Sequence, residues 1–234
     1  MSDLTEEEQL EALKRWWKEN GKWVVTAVVV AVGGYFGWTT YQDQQLAKAT
    51  SGSALYSELL DTLRVQSGEA ISDEARAEVA ELVSQLKENH ADSAYGINAA
   101  LIHAGQAVKD GDLETAESEL RWVLDQQPSE ETRQLAQVRL ARVIAAQGEL
   151  DDALAALEAG NPSKAMQAEY AEVRGDILSQ QGNTDGAIEA YQSALESLDM
   201  QQQNRQRLLQ MKLDNLQPAT ANDSEAPGPE ENAS

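Results

Sequence analysis

The middle of the chain repeats one short pattern three times, as Gly111-Asp-Leu-Glu-Thr-Ala116, Gly148-Glu-Leu-Asp-Asp-Ala153 and Gly182-Asn-Thr-Asp-Gly-Ala187. In each copy the glycine is suited to end one helix, and the acidic or asparagine residue after it is suited to start the next. The alanine would let the second helix approach the first closely. The pattern therefore predicts three tight turns between paired helices.

The spacing of these turns is 37 and then 34 residues, which is close to the 34-residue period of tetratricopeptide repeats. Four residues after each alanine stands a larger side chain that would fill the adjoining space: Leu120, Leu157 and Tyr191. The second repeat is short of helix because Gly160-Asn-Pro162 ends it. The fold class predicted is all-α, with a tetratricopeptide-like α-solenoid. A plain antiparallel helical bundle is the alternative.

Helical periodicity continues on both sides of the repeats. Residues 43–90 would supply one or two atypical helices before them, with a helix start at Ser72 or Asp73. Met200 to Leu216 is predicted to form a capping helix that covers the last repeat. The acidic, proline-containing tail at 217–234 has almost no large apolar side chain and is predicted to be disordered.

A membrane-spanning helix is predicted near the N-terminus. The 20 residues at 23–42 carry no charge, and at about 1.5 Å each they extend roughly 30 Å, the thickness of the bilayer's hydrocarbon core. Trp23, Trp38 and Tyr41 stand where interfacial aromatic residues would anchor the ends. A buried valine-rich strand is the alternative, but it would have no partner strand.

The basic residues predict the orientation of this helix. Four of them precede the span, at 14, 15, 18 and 22, and Lys48 stands alone just after it. The positive-inside rule then places the N-terminus in the cytoplasm and the bulk of the chain in a bacterial periplasm, with the span in the inner membrane. A cleaved signal peptide is the competing interpretation, since Ala47-Lys-Ala49 resembles a cleavage site, but the acidic N-terminal region argues against it.

These observations divide the chain into four parts. They are a cytoplasmic segment at 1–22, a transmembrane helix at 23–42, a periplasmic repeat domain at 43–216 and an acidic tail at 217–234. The first segment is predicted to form a short helix on the cytoplasmic headgroups, with Thr5 and Glu8 as a capping box, that Asn20-Gly21 breaks. A frayed, solvated tail with an aromatic anchor is the alternative. Within the span, Gly33 and Gly37 form a Gly-x-x-x-Gly pair that could contact a partner helix, although glycine is common in membrane helices.

Composition excludes several function classes. The net charge of −22 and the lack of a basic stripe argue against nucleic-acid binding, and the absence of cysteine excludes thiolate chemistry. No catalytic motif is present, so we expect no enzyme activity and no cofactor or metal. Asp110-Gly-Asp112 lacks the spacing of a calcium loop and is interpreted as a turn, and His103 as a packed or half-buried side chain.

A binding surface remains as the functional hypothesis. Stacked helix pairs expose a groove lined by the first helix of each repeat, and such grooves hold peptides. The repeat register places eight residues there: Asn98, Leu101, Val108, Val138, Arg142, Glu169, Glu172 and Asp176. Leu101 and Val138 would receive an apolar side chain, and Arg142 a carbonyl or carboxylate. The alternative for Arg139 and Arg142 is ion pairing with neighbouring acids. The acidic third repeat would favour basic segments.

Four short segments together resemble the YfgM family. They are Glu19-Asn-Gly-Lys22 before the span, Arg139-Leu-Ala-Arg142, Arg174-Gly-Asp176 and Met211-Lys-Leu-Asp-Asn-Leu216. The resemblance covers roughly residues 10–216. It implies an ancillary subunit of the bacterial SecYEG translocon, associated with a membrane-anchored periplasmic peptidyl-prolyl isomerase and acting in a chaperone-like role on emerging clients.

Two function classes therefore compete. One is a translocon-associated adaptor that binds partners or unfolded periplasmic or outer-membrane clients through its repeats. The other, which the resemblance also implies, is a membrane-anchored regulator of envelope-stress signalling that acts through its cytoplasmic segment. Identification of the proteins that copurify with the chain would separate the two.

Overall fold

The described residues of the computed structural model, 6–65, 72–199 and 202–216, form nine α-helices and no β-strand. The helices are α1 (Glu6–Val65), α2 (Asp73–Asn89), α3 (Ala94–Asp110), α4 (Leu113–Asp125), α5 (Glu130–Ala146), α6 (Leu150–Glu158), α7 (Gln167–Gln180), α8 (Thr184–Glu196) and α9 (Gln203–Leu216). The predicted all-α class is confirmed. Thr5 of the expected capping box and the tail at 217–234 lie outside the described residues.

Within the described residues, α1 is the helix that is long and apolar enough to cross a membrane. Its apolar side chains are exposed to the surroundings: Trp23, Val30 and Phe36 are 69%, 68% and 63% exposed. A core helix of a water-soluble protein would bury such side chains, whereas a membrane-spanning helix presents them to lipid. The composition and exposure of α1 therefore fit a single-pass membrane protein.

The expected break of this helix at Asn20-Gly21 is wrong. The helix continues through both residues, and the Asn20 side chain donates a hydrogen bond to the Trp16 carbonyl oxygen one turn earlier at 3.1 Å. Gly21 lies against the Trp17 ring, where a Cβ atom would approach the ring atoms to 3.2 Å. Glycine here makes room for an aromatic ring and does not end the helix.

The chain divides into two compact units, Met1–Ser57 and Glu58–Ser234, and the second contains the repeats. The three predicted turns are confirmed, since their glycines adopt φ angles of 79°, 92° and 78°: Gly111, Gly148 and Gly182. Asp112 and Asn183 then cap the following helices, by accepting hydrogen bonds from the backbone N–H groups of Thr115 and Gly186. These contacts join α3 to α4 and α7 to α8 at short turns.

Small residues let the paired helices approach closely. The predicted alanines are fully buried: Ala116, Ala153 and Ala187. The larger side chains one turn later are also buried, as expected: Leu120, Leu157 and Tyr191. One such close approach is between α7 and α8, where a Cβ atom on Gly175 would lie 2.6 Å from the Tyr191 ring. Only glycine fits at position 175.

The short second repeat is completed by a buried glutamine that the sequence did not reveal. Gln134 on α5 accepts a hydrogen bond from the Ser163 backbone N–H at 3.1 Å and donates one to the Asn161 carbonyl oxygen at 3.3 Å. The Tyr170 hydroxyl donates a hydrogen bond to the backbone carbonyl oxygen of Gln134 at 3.2 Å. These bonds satisfy backbone polar groups of the loop between α6 and α7 and connect that loop and α7 to α5.

The predicted capping helix is present as α9. Leu209 and Leu213 are buried in a cluster with Tyr191 and Ala194 of α8, and Leu195 and Leu198 pack against the same cluster. Burying one leucine side chain contributes roughly 1.5–3 kcal/mol. The helix therefore covers apolar surface that the last repeat would otherwise expose to water.

Two adjacent leucines of α9 test this packing. Leu209 is 0% exposed and Leu208 is 46% exposed. We predict that Leu209→Ala lowers the free energy of unfolding by about 2–5 kcal/mol because it leaves a cavity. Leu208→Ala should change it by no more than about 0.5 kcal/mol. Urea unfolding of a soluble fragment comprising residues 43–216, followed by circular dichroism, measures both. Equal losses would mean that α9 does not pack as described.

Candidate interaction surface

The structure separates the predicted groove residues into exposed and buried ones. Asn98 and Val108 on α3 are exposed, as a groove requires. Val138 is 0% exposed and Leu101 is 8% exposed, and both belong to the central hydrophobic cluster. Placing these two on an open surface is therefore a misassignment. Their side chains face the interior of the helix pairs, so they hold the repeats together and cannot receive a partner's side chain.

An open apolar pocket lies between α3 and α5, one helical turn away from these buried residues. Its volume is about 420 Å³. Ala104, Gly105 and Val108 form the α3 wall, Val143 lines the α5 wall, and Leu120 of α4 contributes to the lining. Val108 is 45% exposed at the edge of the pocket. The predicted groove residue Val108 thus does border a concave apolar surface.

Basic side chains surround this pocket. Arg139 and Arg142 reach it from α5, and Lys109 reaches it from α3. Arg142 also donates a hydrogen bond to Glu169 at 2.9 Å, so the ion-pair alternative for this residue is observed. In the part of the chain that the structure describes, Arg139 and Lys109 have no carboxylate within ion-pair distance. The apolar pocket is therefore bordered by cations with unused donors.

The three predicted acidic residues of α7 lie close together, and α9 covers them. Lys212 donates to Glu172 at 2.9 Å and to Asp176 at 2.7 Å. Arg205 donates to Glu172 at 2.8 Å and lies 3.9 Å from Glu169. A basic segment does contact the acidic third repeat, but it is the chain's own last helix.

Pairing with α9 controls the protonation of Glu172. Burial by itself raises the pKa of this carboxyl, but the hydrogen bonds and positive charges of Lys212 and Arg205 outweigh burial and hold the pKa below its ordinary value. The Tyr191 hydroxyl donates to Asp176 at 2.7 Å, and burial together with this bond raises the pKa of Tyr191. The negative charges on α7 are thus paired with the basic side chains of α9 and do not form an open negative surface.

A second buried carboxylate was not foreseen from the sequence. Glu119 of α4 is buried, and Lys87 of α2 donates to both of its oxygens at 2.8 and 2.9 Å. The ammonium group of Lys87 also lies 4.9 Å from the centre of the Trp122 ring, which is a cation–π distance. His103 is half-buried, as expected, with Nδ1 at 3.3 Å from Glu119. The cluster links α2, α3 and α4.

The described residues contain no group of three or more histidine and acidic side chains that could hold a metal ion. The carboxylates of the segment Asp110-Gly-Asp112 instead have structural partners. Asp112 caps α4, and Asp110 accepts a hydrogen bond from Arg76 at 3.1 Å. The interpretation of this segment as a turn is confirmed.

The Glu172 network predicts a dependence of stability on pH. Because the pKa of Glu172 is lower in the folded chain than the ordinary 4.5, its ionised form stabilises the fold above that pH, and this contribution is lost as the pH falls below it. Glu172→Gln should therefore lower the free energy of unfolding by about 1.5–3 kcal/mol near neutral pH. The difference from the unaltered chain should shrink at about pH 3.

The exposed Glu189 on α8 supplies the matched control, and Glu189→Gln should change the unfolding midpoint little at either pH. Thermal unfolding of the two variants and the unaltered chain, followed by circular dichroism, makes the comparison. A Glu172→Gln difference that stays constant from neutral to acid pH would show that ionisation of this carboxyl does not stabilise the fold.

Comparison with known proteins shows which family this chain belongs to. A family model described as a tetratricopeptide repeat-like domain matches residues 14–218. Relatives called ancillary SecYEG translocon subunit occur in Haemophilus influenzae (30% identical), Aggregatibacter actinomycetemcomitans (32%) and Escherichia coli (31%). The alignments cover 90–91% of this chain and 96–98% of these relatives, so both the apolar helix and the repeats are included. The resemblance noted from the short segments is confirmed, and the chain belongs to the family of ancillary SecYEG translocon subunits.

Proposed function

We propose that this protein is a membrane-anchored adaptor of the SecYEG translocon, which α1 holds in the inner membrane and which binds partner segments between α3 and α5. The observation that carries the proposal is that the match to the ancillary translocon subunits extends over nine-tenths of the chain. The pocket of about 420 Å³ supports the second half of the proposal, because it offers concave apolar surface within a fold class that binds peptides. The role is binding, without catalysis.

The proposed orientation has a cytoplasmic N-terminus and a periplasmic repeat domain. It follows from the excess of lysine and arginine before the span: Lys14, Arg15, Lys18 and Lys22, against Lys48 after it. In this orientation the repeat domain lies on the side of the membrane on which translocated chains emerge. The partners then comprise SecYEG itself, a membrane-anchored periplasmic peptidyl-prolyl isomerase and unfolded clients.

A second candidate function is regulation of envelope-stress signalling through the cytoplasmic segment. The observation in its favour is that the first turns of α1 expose large apolar side chains next to basic ones, including Leu10, Leu13 and Trp17. Such a surface could contact a signalling protein. Mass spectrometry of the proteins that copurify with the full chain decides between the candidates, since translocon subunits support the first and a cytoplasmic regulator supports the second.

Protease accessibility tests the orientation. In spheroplasts, added protease should digest the repeat domain and leave a small membrane-bound fragment that contains the N-terminus, because only the N-terminal side of the span is protected. A tag at either end, detected by immunoblot, identifies the surviving fragment. Full protection of the repeat domain, or a mature N-terminus created by cleavage after Ala49, would contradict the single uncleaved anchor.

The two glycines of the span test whether α1 contacts the translocon directly. A Cβ atom at Gly33 or Gly37 would meet nothing within 4 Å, so Gly33→Leu/Gly37→Leu creates no clash within the chain. We predict that this double variant weakens copurification of translocon subunits without lowering the protein level, because it blocks close approach of another helix. Gly34→Leu is the control, because a Cβ atom there also meets nothing within 4 Å and points about 100° from position 33 and about 60° from position 37. Equal copurification of all three proteins would exclude the glycine pair as a contact.

A further inference from the structure

We propose that the pocket between α3 and α5 selects partner segments in which an apolar side chain is flanked by carboxylates, and that it discriminates against basic segments. This inference rests on the proposed function and gives the ligand class of the same site. It reverses the expectation from the sequence, which was that the acidic third repeat would favour basic segments.

The apolar part of the site is open because a glycine lines it. Gly105 lines the pocket, and a Cβ atom built on it would meet nothing within 4 Å. The space that most other residues at this position would occupy is therefore open to a ligand. With Val108 and Val143 as walls, the pocket can remove part of the surface of a leucine-sized side chain from water, which favours binding of apolar side chains.

The charged part of the site is local and positive in a chain whose net charge is −22. Arg139 and Lys109 lie beside the pocket without an ion pair among the described residues, and Arg142 uses one N–H donor on Glu169. A guanidinium group has five N–H donors, so most of those on Arg142 remain available. Glu169 offsets part of the charge of Arg142, whereas Arg139 and Lys109 have no ion pair among the described residues. At physiological ionic strength charges farther than about 8 Å are largely screened, so Arg139 and Lys109 are the main charges that a bound carboxylate would meet.

The neighbouring acidic face cannot act as the attractive element for a basic segment. Glu172 and Asp176 already accept hydrogen bonds from Lys212, and Glu172 also accepts one from Arg205. A basic partner would have to displace α9 from these carboxylates and expose the leucines that α9 buries. The α7 surface is therefore closed to basic ligands, while the α3–α5 pocket is open to acidic ones.

Peptide binding to the full-length protein in lipid nanodiscs tests the inference. The probe is a fluorescein-labelled ten-residue peptide of glycine and serine with a central leucine between two glutamates, and the readout is fluorescence anisotropy at physiological salt. Two matched peptides replace the glutamates by lysines or the leucine by serine. We expect both replacements to weaken binding at least tenfold. Equal binding of the lysine peptide, or no binding of the glutamate–leucine peptide, would overturn the inference.

Substitutions in the protein locate the binding. Gly105→Leu should fill the pocket without unfolding the helix, and Arg139→Glu should reverse the charge beside it, so each should weaken binding of the glutamate–leucine peptide at least tenfold. Two matched controls should bind within twofold of the unaltered protein. They are Gly105→Ala, which adds only a methyl group, and Arg207→Glu, which makes the same charge change on the exposed side of α9. Unchanged binding by Gly105→Leu would overturn the assignment to this pocket.

Failure of this inference can be distinguished from failure of the proposed function. Peptide selectivity is measured on the purified protein, without the translocon. Copurification of SecYEG subunits is measured separately in membranes. Loss of selectivity with intact copurification overturns this inference alone, and intact selectivity without copurification overturns only the translocon role.

Discussion

The close approach of the two helices in each repeat is the constraint on which the rest of the domain depends. At α7 and α8 the Tyr191 ring occupies the space where a side chain at Gly175 would begin. The buried alanines have the corresponding role in each pair: Ala116, Ala153 and Ala187. The apolar pocket is lined by residues of α3, α4 and α5, and the acidic network joins α7 to α9.

The acidic network of α7 and the apolar pocket differ because α9 covers only the acidic network. Carboxylates as buried as Glu172 are costly unless they are paired, and Arg205 and Lys212 provide the pairing while Leu209 and Leu213 bury apolar area. α9 thus closes the array both electrostatically and by hydrophobic burial. The pocket between α3 and α5 has no such cover among the described residues, which is why the proposed binding is assigned there.

Much of the fold followed from short patterns, whereas the site did so only in part. Turn glycines and their capping residues are local, so the sequence predicted them correctly. Val138 was misassigned because one residue rotates a helix by about 100°, and a small error of repeat register exchanges core for surface. The Lys87–Glu119 pair and the Gln134 loop contacts join residues about thirty positions apart, and no periodic pattern marks them. Arg139 has no ion pair among the described residues, since the nearby carboxylates of α7 pair with Arg142, Arg205 and Lys212, and the sequence alone does not show these pairings.

The proposed adaptor role combines a helix that can cross a membrane with an open apolar pocket on the repeats. The most direct measurement is site-specific photo-cross-linking in living cells, with a photoreactive amino acid at Val108 beside the pocket or at the exposed Glu189 on α8. The account predicts strong adducts with partner proteins from position 108, weak ones from position 189, and loss of the former when Gly105→Leu fills the pocket. Equal adducts from both positions, or adducts from position 108 that persist with Gly105→Leu, would contradict it.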